Sequence, residues 1–199
     1  MNSQLFNKIF KESIQDYYTS GELYPSGKIP YAEGSIEFLL FRKNRIDNIQ
    51  WNLEDIIREE TIEPAKAVKI KREIDVRNQE RTDTVEQIDD MIFAEYKNVE
   101  LVPGYRVNTE SAAWVIDRLS ILNIKLYHMQ KESVREGASD TVKAKCLFKL
   151  GILNQQYSDL SFALDQLLSE IATGKCKVHT YKQMKMYNDP ELNPFLRKN

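Results

Sequence analysis

Glycine and proline are scarce in this chain, with 7 glycines and 6 prolines among 199 residues. Sandwiches and barrels need many turns that contain these residues, so their scarcity argues against an all-β fold and favours long helices. Hydrophobic residues make up 42% of the chain and charged residues 29%, which is ordinary for a soluble globular domain and unlike a disordered one. The length predicts a single domain.

Residues that build common catalytic and metal sites are also few. The cysteines are Cys146 and Cys176, 30 positions apart, and the histidines are His128 and His179. This spacing matches no zinc motif, and it favours a reduced, cytoplasmic protein. Glycine-rich phosphate loops and nucleophile elbows are missing from the sequence, which excludes several large enzyme classes.

Long apolar runs are missing as well. No stretch approaches the ~18 apolar residues of a membrane span, and the first residues, MNSQLFNKIFKESIQDYY, lack the apolar core of a secretory leader. We therefore expect no membrane span. The isoelectric point of about 5.8 predicts that nucleic acid is not a partner.

Charge is distributed unevenly. Residues 52–100 hold 14 acids and 8 bases, whereas residues 174–199 hold 6 bases and 2 acids. One interpretation is a solvated acidic surface with a basic tail. The other is an acidic cation site, with a tail that steers an anionic ligand or packs on a second subunit of a homodimer.

Hydrophobic periodicity predicts an all-α fold: an elongated bundle of four long helices plus an N-terminal helix and an irregular basic C-terminal tail. Ser35 is placed to cap the second helix, and Gly174 to end the last one. We expect one helical domain over 1–174 and the tail over 175–199. The predicted helices span 5–18, 35–61, 65–97, 110–134 and 141–173.

Two helices stand out by the distribution of their apolar residues. The helix over 110–134 is apolar on most faces, which predicts a central position. The last helix shows an inward stripe in which Asn154 is a buried polar residue. The stripe comprises Leu147, Leu150, Leu153, Leu160, Leu164, Leu167, Leu168 and Ile171.

The helix over 65–97 has polar residues inside its apolar stripe. Asn78 and Arg81 project within about 40° of the axis of the core residues. Because a buried charge without a partner costs several kcal/mol, Arg81 must meet a carboxylate, a ligand or solvent. Further polar residues along one flank are Asp75, Thr82, Glu86 and Asp89.

The preceding helix has a polar face opposite its apolar stripe. The two helices are joined at Pro64 and should pack antiparallel, which would pair Arg81 with Glu54 or Asp55, and Arg58 with Asp75 or Asp89. Either these residues form a structural ion-pair network, or they line a cavity in which carboxylates bind Mg²⁺ and arginines bind a phosphate. The polar face comprises Asn44, Asp47, Trp51, Glu54, Asp55 and Arg58.

The central helix adds Asp117, a carboxylate among apolar residues that needs Arg58 or Arg81 as a partner. His128 lies three turns from Asp117, roughly 16 Å, so these two cannot form an acid–base pair. A structural interpretation places His128 at the edge of the core, hydrogen-bonded to a neighbour.

Three sequence strings resemble an uncharacterised bacterial family, domain of unknown function 4254. They are WNLEDIIR at 51–58, EIDVRNQERTDTVEQID at 73–89 and DRLSILNIKLYHM at 117–129, and the likeness covers about 35–172. The resemblance implies an all-helical cytosolic protein. Members are often encoded near cell-envelope glycosyltransferases, which implies sugar or nucleotide-sugar metabolism. The motif positions are Trp51, Glu54, Asp55, Arg58, Asp75, Asn78, Arg81, Glu86, Asp89, Asp117, Arg118, Lys125 and His128.

A second resemblance is to the all-α nucleoside triphosphate pyrophosphohydrolases, which hold Mg²⁺ between acidic residues on two helices. Glu86 and Asp89 match the second half of their ExxE…ExxD pattern. The first half departs from it, because Glu54-Asp55 is followed by Arg58 where an acid is expected.

The sequence therefore predicts a protein that binds or hydrolyses a phosphorylated small molecule, and it leaves open whether the protein is an enzyme. The alternative is a non-catalytic helical interaction protein with a structural ion-pair network. Predicted Mg²⁺ ligands are Glu54, Asp55, Glu86 and Asp89. Predicted ligand-binding residues are Trp51, Arg58, Asn78, Arg81, Asp117, Arg118, Lys125 and His128.

Overall fold

The structure is a computed structural model that describes residues 1–186 and 189–197. Within these ranges the chain forms five helices and two short strands, so the predicted all-α bundle is confirmed. No helix there is long and apolar enough to cross a membrane. The elements are α1 (Ser3–Ser20), α2 (Ile36–Ile56), α3 (Pro64–Tyr96), β1 (Arg106–Val107), α4 (Ala112–Ser133), α5 (Asp140–Ala172) and β2 (Cys176–Lys177).

The helix α4 lies at the centre of the bundle, as its apolar composition predicts, and it contacts each of the other four helices. Its residues Ile116 and Leu119 are fully buried in the main core. The start of α2 is capped by the Ser35 side chain, which accepts from the backbone N–H of Phe38. Side chains at the α1–α2–α3 end form a second, smaller core: Tyr17, Ile49, Leu53, Ile70 and Ile74.

Burial along α5 differs from the prediction. Leu164, the first buried residue of α5, lies near its C-terminal end, whereas Leu147 is 59% exposed and Asn154 is also exposed. The inward stripe predicted from Leu147 is therefore wrong over the first half of the helix. The physical reason is that the other residues that the structure describes leave most of the circumference of this half uncovered.

The basic tail lies on the acidic face of α3 in the same chain. Strand β2 pairs in parallel with β1, and Lys182 then forms an ion pair with Asp90 (2.8 Å). The Lys185 ammonium donates to the hydroxyl of Thr82 (2.6 Å). Opposite charges on the tail and on α3 thus meet within one chain.

Gly174 ends α5 in a left-handed conformation (φ 70°). A Cβ at this position would lie 2.1 Å from the carbonyl oxygen of Glu100. We expect Gly174→Ala to lower the free energy of unfolding by about 2–3 kcal/mol, measured by urea denaturation. Gly21→Ala is the matched control, since it shares the positive φ with open space around the Cβ and should cost only ~1 kcal/mol. Equal losses in the two variants would contradict the role of the Glu100 contact.

Candidate functional site

Asp117 of α4 is the centre of a buried ion-pair network. Its carboxylate accepts two hydrogen bonds from the guanidinium of Arg81 on α3, from Nε (2.8 Å) and from Nη2. The ammonium of Lys43, on α2, lies 2.8 Å from the same carboxylate and is 0% exposed. The prediction that Asp117 pairs with Arg58 or Arg81 is confirmed for Arg81.

Asp47 completes the network one turn along α2. Its Oδ2 binds the Lys43 ammonium and accepts from the hydroxyl of Ser120 on α4 (2.6 Å). Its Oδ1 lies 3.7 Å from Nε of Arg81 and has no hydrogen-bond partner among the residues that the structure describes. Two cations and two anions therefore balance in the interior, and one carboxylate oxygen stays unsatisfied.

Amide side chains continue this network along α2. Asn44 donates to the hydroxyl of Ser120 (2.9 Å), and Asn48 donates to the side-chain oxygen of Asn44 (3.0 Å). Buried polar groups need such partners, because each group left unpaired costs about 1–3 kcal/mol. The polar face of α2 is thus structural at its N-terminal end, where α4 covers it.

The two buried aspartates differ in how easily they ionise. Burial raises the pKa of Asp47, and the attraction of Lys43 does not fully offset it. Burial would also raise the pKa of Asp117, but Lys43 and Arg81 together hold that pKa below its usual value. Asp117 is therefore the fixed anion of the network, and Asp47 is the carboxyl group that accepts a proton more readily.

A solvent-open cavity of about 230 Å³ lies beside the network, between α2, α3 and α4. Asp47 and Arg81 belong to both the network and the cavity wall, and the unsatisfied Oδ1 of Asp47 is itself buried. Arg81 is the α3 residue that faces the polar edge of α2 here, whereas Asp75, Glu86 and Asp89 make other contacts. The lining residues are Asp47, Gln50, Trp51, Glu54, Asp55, Arg58, Arg81, Ile121 and Ile124.

Trp51, which lines the cavity, belongs to a cluster of aromatic rings. Trp51 stacks on His128 with ring centroids 4.9 Å apart and planes 7° from parallel. The hydroxyl of Tyr18 lies 2.7 Å from Nε2 of His128, and its oxygen is 3.4 Å from the donating amide of Asn52. His128 therefore lies at the core edge and is hydrogen-bonded to Tyr18, whose ring stacks on Tyr127.

Burial lowers the pKa of His128, and Lys131 lowers it further while Asp55 opposes the shift. The unfolded chain takes up this proton first as the pH falls, so we expect stability to decrease as the pH drops below about 6.5. His128→Phe should reduce that decrease, measured as urea midpoints between pH 7.5 and 5. His179→Phe replaces the other histidine as a control, and this variant should lose stability at low pH as the wild-type chain does. Identical pH profiles for the two variants would contradict the assignment.

Five of the eight predicted ligand-binding residues do not line this cavity. Asp117 lies behind Arg81 and His128 stacks on Trp51, and the other three are Arg118, Lys125 and Asn78. Arg118 is exposed and pairs with Glu110 (3.7 Å). Lys125 lines a separate, mostly apolar groove between α4 and α5, which Trp51 and His128 also border. The backbone carbonyl of Asn78 accepts from Thr82 (2.9 Å). The structure therefore brings Trp51, Arg58 and Arg81 together at one cavity, with Asp117 behind it.

The four carboxylates predicted to bind Mg²⁺ do not converge. Glu54 and Asp55 line the cavity, whereas Asp89 accepts from the Ser111 hydroxyl at the start of α4. Glu86 accepts from the backbone N–H of Gln183 in the tail. Over residues 1–186 and 189–197 no group of three or more His, Cys, Asp or Glu side chains is arranged to hold a metal ion.

The predicted pairing of Arg81 with Glu54 or Asp55 is wrong, as is that of Arg58 with Asp75 or Asp89. Arg58 contacts Glu54 (3.6 Å) and Asp55 (3.0 Å), which belong to its own helix. The reason is position: Arg58 lies just past the end of α2, where its side chain is 65% exposed. Asp117 reaches Arg81 instead because α4 packs against both α2 and α3.

Lys43 and Ser120 are the important residues that the sequence analysis missed. Leu40 and Phe41 are apolar and fall on the side of α2 opposite its main stripe. The start of α2 is therefore apolar on more than one side, and this pattern is the signal that Lys43 and Asp47, four residues apart, could be a buried pair. No comparable signal marks Ser120.

Fold and site together define an all-α protein in which a charge-balanced, buried ion-pair network adjoins an open polar cavity. The chain belongs to a family of proteins of unknown function: the model described as "Protein of unknown function (DUF4254)" matches residues 37–180, which confirms the resemblance. Comparisons with curated proteins and with solved structures gave no match.

Proposed function

We propose that the cavity binds a phosphorylated small molecule that also carries hydroxyl groups, such as a nucleotide or a nucleotide-sugar. The observation that supports this most is Asp47, which lines an open cavity and whose buried Oδ1 has no hydrogen-bond partner in the described chain. A ligand hydroxyl that donates to this oxygen would remove its desolvation penalty.

Two arginines supply the contacts for a phosphate. Arg58 is mostly exposed, and its partners Glu54 and Asp55 belong to the same exposed surface, so the cost of exchanging them for a phosphate is small. Arg81 is held along one edge by Asp117, which fixes its guanidinium at the cavity wall. Guanidinium groups bind phosphate oxygens through paired hydrogen bonds.

The other lining residues fit the rest of such a ligand. Gln50, Glu54 and Asp55 offer acceptors for hydroxyl groups, and Trp51 offers an apolar ring surface. Mg²⁺ in phosphate sites is often held by one or two carboxylates together with the ligand's own phosphates. Glu54 and Asp55 are the two predicted carboxylates that could contact a cation brought in by the ligand.

We also infer a bacterial cytoplasmic location, which the two unpaired cysteines support. A homodimer stays a proposal as well. The tail that the sequence indicated for it lies on α3 of its own chain, so another surface is needed for a second subunit.

A second candidate function is a non-catalytic interaction protein. The observation that favours it is that the charges of Lys43, Arg81, Asp47 and Asp117 balance within the chain. A balanced network of this kind needs no ligand, and its role would be to fix how α2, α3 and α4 pack. In that case the cavity would take no phosphorylated ligand.

Thermal denaturation with a ligand panel separates the two functions. The panel contains ATP, UDP-glucose, glucose phosphate and inorganic phosphate, with adenosine, uridine and glucose as unphosphorylated counterparts, each with Mg²⁺ and with EDTA. A ligand at 100 times its Kd stabilises by ~2.7 kcal/mol, which raises the Tm of a domain of this size by about 5–10 °C. No shift with any phosphorylated compound would overturn the proposal, and equal shifts with the counterparts would overturn the role of the phosphate.

A further inference from the structure

The helix α5 has a second apolar face that nothing within the described chain covers. Phe148 is 71% exposed, Phe162 is 72% exposed, and Leu147, next to Phe148 on the flank of this face, is 59% exposed. The two phenylalanines alone leave on the order of 250 Å² of ring surface in water. The two rings lie 14 residues apart on the helix, about 21 Å at 1.5 Å per residue, so they mark the two ends of an uncovered strip along α5.

The residues of this face repeat at alternating intervals of four and three positions. That spacing is the seam of a coiled coil, in which a second helix packs along the first. Gly151 lies in the seam, and a Cβ there would meet nothing within 4 Å, so the chain itself does not require a glycine at that point. Close approach of a second helix would require one. The seam comprises Ala144, Phe148, Gly151, Gln155, Ser158 and Phe162.

The seam is complementary to itself when two copies run antiparallel. Consider two antiparallel helices aligned so that Leu153 of one copy lies beside Leu153 of the other. Phe148 then lies opposite Ser158 of the second copy, and Phe162 lies opposite its Ala144. Each large residue then meets a small one, which is the arrangement that fills space between packed helices. A parallel pair would instead place each phenylalanine against its own copy.

Charge also selects an antiparallel partner. The first half of α5 has Lys143, Lys145 and Lys149 against Asp140, whereas the second half has only acids. Of these acids Glu170 is paired with Arg106, and Asp165 accepts two hydrogen bonds from Ser3 of the same chain. Asp159 is the acid of this half that forms no hydrogen bond or ion pair with another helix in the described chain, and in the antiparallel register Lys145 lies near Asp159 of the second copy. A parallel pair would oppose like charges, at a cost.

From these observations we propose that two copies of this chain form an antiparallel dimer through the seam of α5. The cavity proposed above is lined by α2, α3 and α4, so the dimer does not depend on the proposed ligand. We propose a second copy as the partner because the side-chain sizes and the charges along the seam are both self-complementary.

Sedimentation equilibrium of the full chain tests the dimer. The wild-type chain is expected at about twice 23.3 kDa in the micromolar range, and Phe148→Glu should raise the dimer Kd at least tenfold. Phe93→Glu is the matched control, because Phe93 is an exposed phenylalanine of α3 away from the seam, and it should leave the Kd unchanged. Circular dichroism checks that both variants keep their helices.

A charge reversal tests the orientation. Lys145→Glu should weaken the dimer, and adding Asp159→Lys should restore it, because the two positions meet only in the antiparallel register. A wild-type chain that stays monomeric at 100 µM, or a dimer that Phe148→Glu leaves intact, would overturn the proposal. Failure of the double variant to restore the dimer would overturn the antiparallel arrangement.

Discussion

Lys43→Met is expected to lower the free energy of unfolding by about 3–5 kcal/mol, the usual cost of removing one partner from a buried ion pair. Methionine has a similar length and fills the same space, so the loss comes from charge rather than from packing. Without the ammonium, Asp47 and Asp117 share the single cation Arg81 in an interior where Lys43 was 0% exposed. Urea denaturation followed by circular dichroism measures the loss.

The double variant Lys43→Met/Asp47→Asn separates charge balance from other causes. The amide oxygen of the new side chain would still accept from the Ser120 hydroxyl, and Asp117 with Arg81 would remain as a neutral pair. We therefore expect the second substitution to recover at least ~1 kcal/mol of the loss, a coupling that is typical of residues in one network. Losses that simply add in the double variant would contradict a charge-balanced network.

Arg58→Gln is expected to weaken binding of the phosphorylated ligand about 10- to 100-fold, because a charge-assisted hydrogen bond to phosphate contributes about 1.5–3 kcal/mol. Stability should change by less than ~1 kcal/mol, since the Arg58 pairs with Glu54 and Asp55 are exposed to solvent. Isothermal titration calorimetry measures the affinity, and urea denaturation measures the stability.

Arg118→Gln is the matched control for Arg58→Gln. The two arginine side chains are equally exposed, 64% and 65%, and each contacts carboxylates on the surface. Arg118 lies outside the cavity, so its variant should bind with the wild-type affinity. An equal loss of affinity in the two variants would show that the ligand does not occupy this cavity.

Helix periodicity predicted the bundle well because each long helix buries a stripe with a period of 3.6 residues. The first half of α5 is less buried than predicted because α5 has two apolar stripes instead of one. One stripe faces α4, and the other faces outward through Phe148 and Phe162. Periodicity shows that a face is apolar, but it does not show which neighbour covers it.

The candidate site was predictable only in part: the pairing of Asp117 with Arg81 was predicted, whereas Lys43 and Ser120 were missed. Arg81 lies inside an apolar stripe and Asp117 lies on an apolar helix, so each needed a partner of opposite charge. In the structure they pair with each other. Glu86 and Asp89 were misassigned because their sequence pattern is also that of ordinary acidic residues on a helix. Asp89 is used to cap α4, a long-range contact that no local pattern predicts.

Fluorescence of Trp51 tests the central claim most directly. The chain has two tryptophans, so Trp114→Phe leaves Trp51, which lines the cavity, as the only indole. Titration with a phosphorylated compound that raises the Tm should give a saturable change in Trp51 emission. The unphosphorylated counterpart should give no such change. In the variant that carries both Trp114→Phe and Arg58→Gln, at least tenfold more ligand should be needed to reach the same change. Emission that stays constant while the same compound still raises the Tm would contradict binding in this cavity.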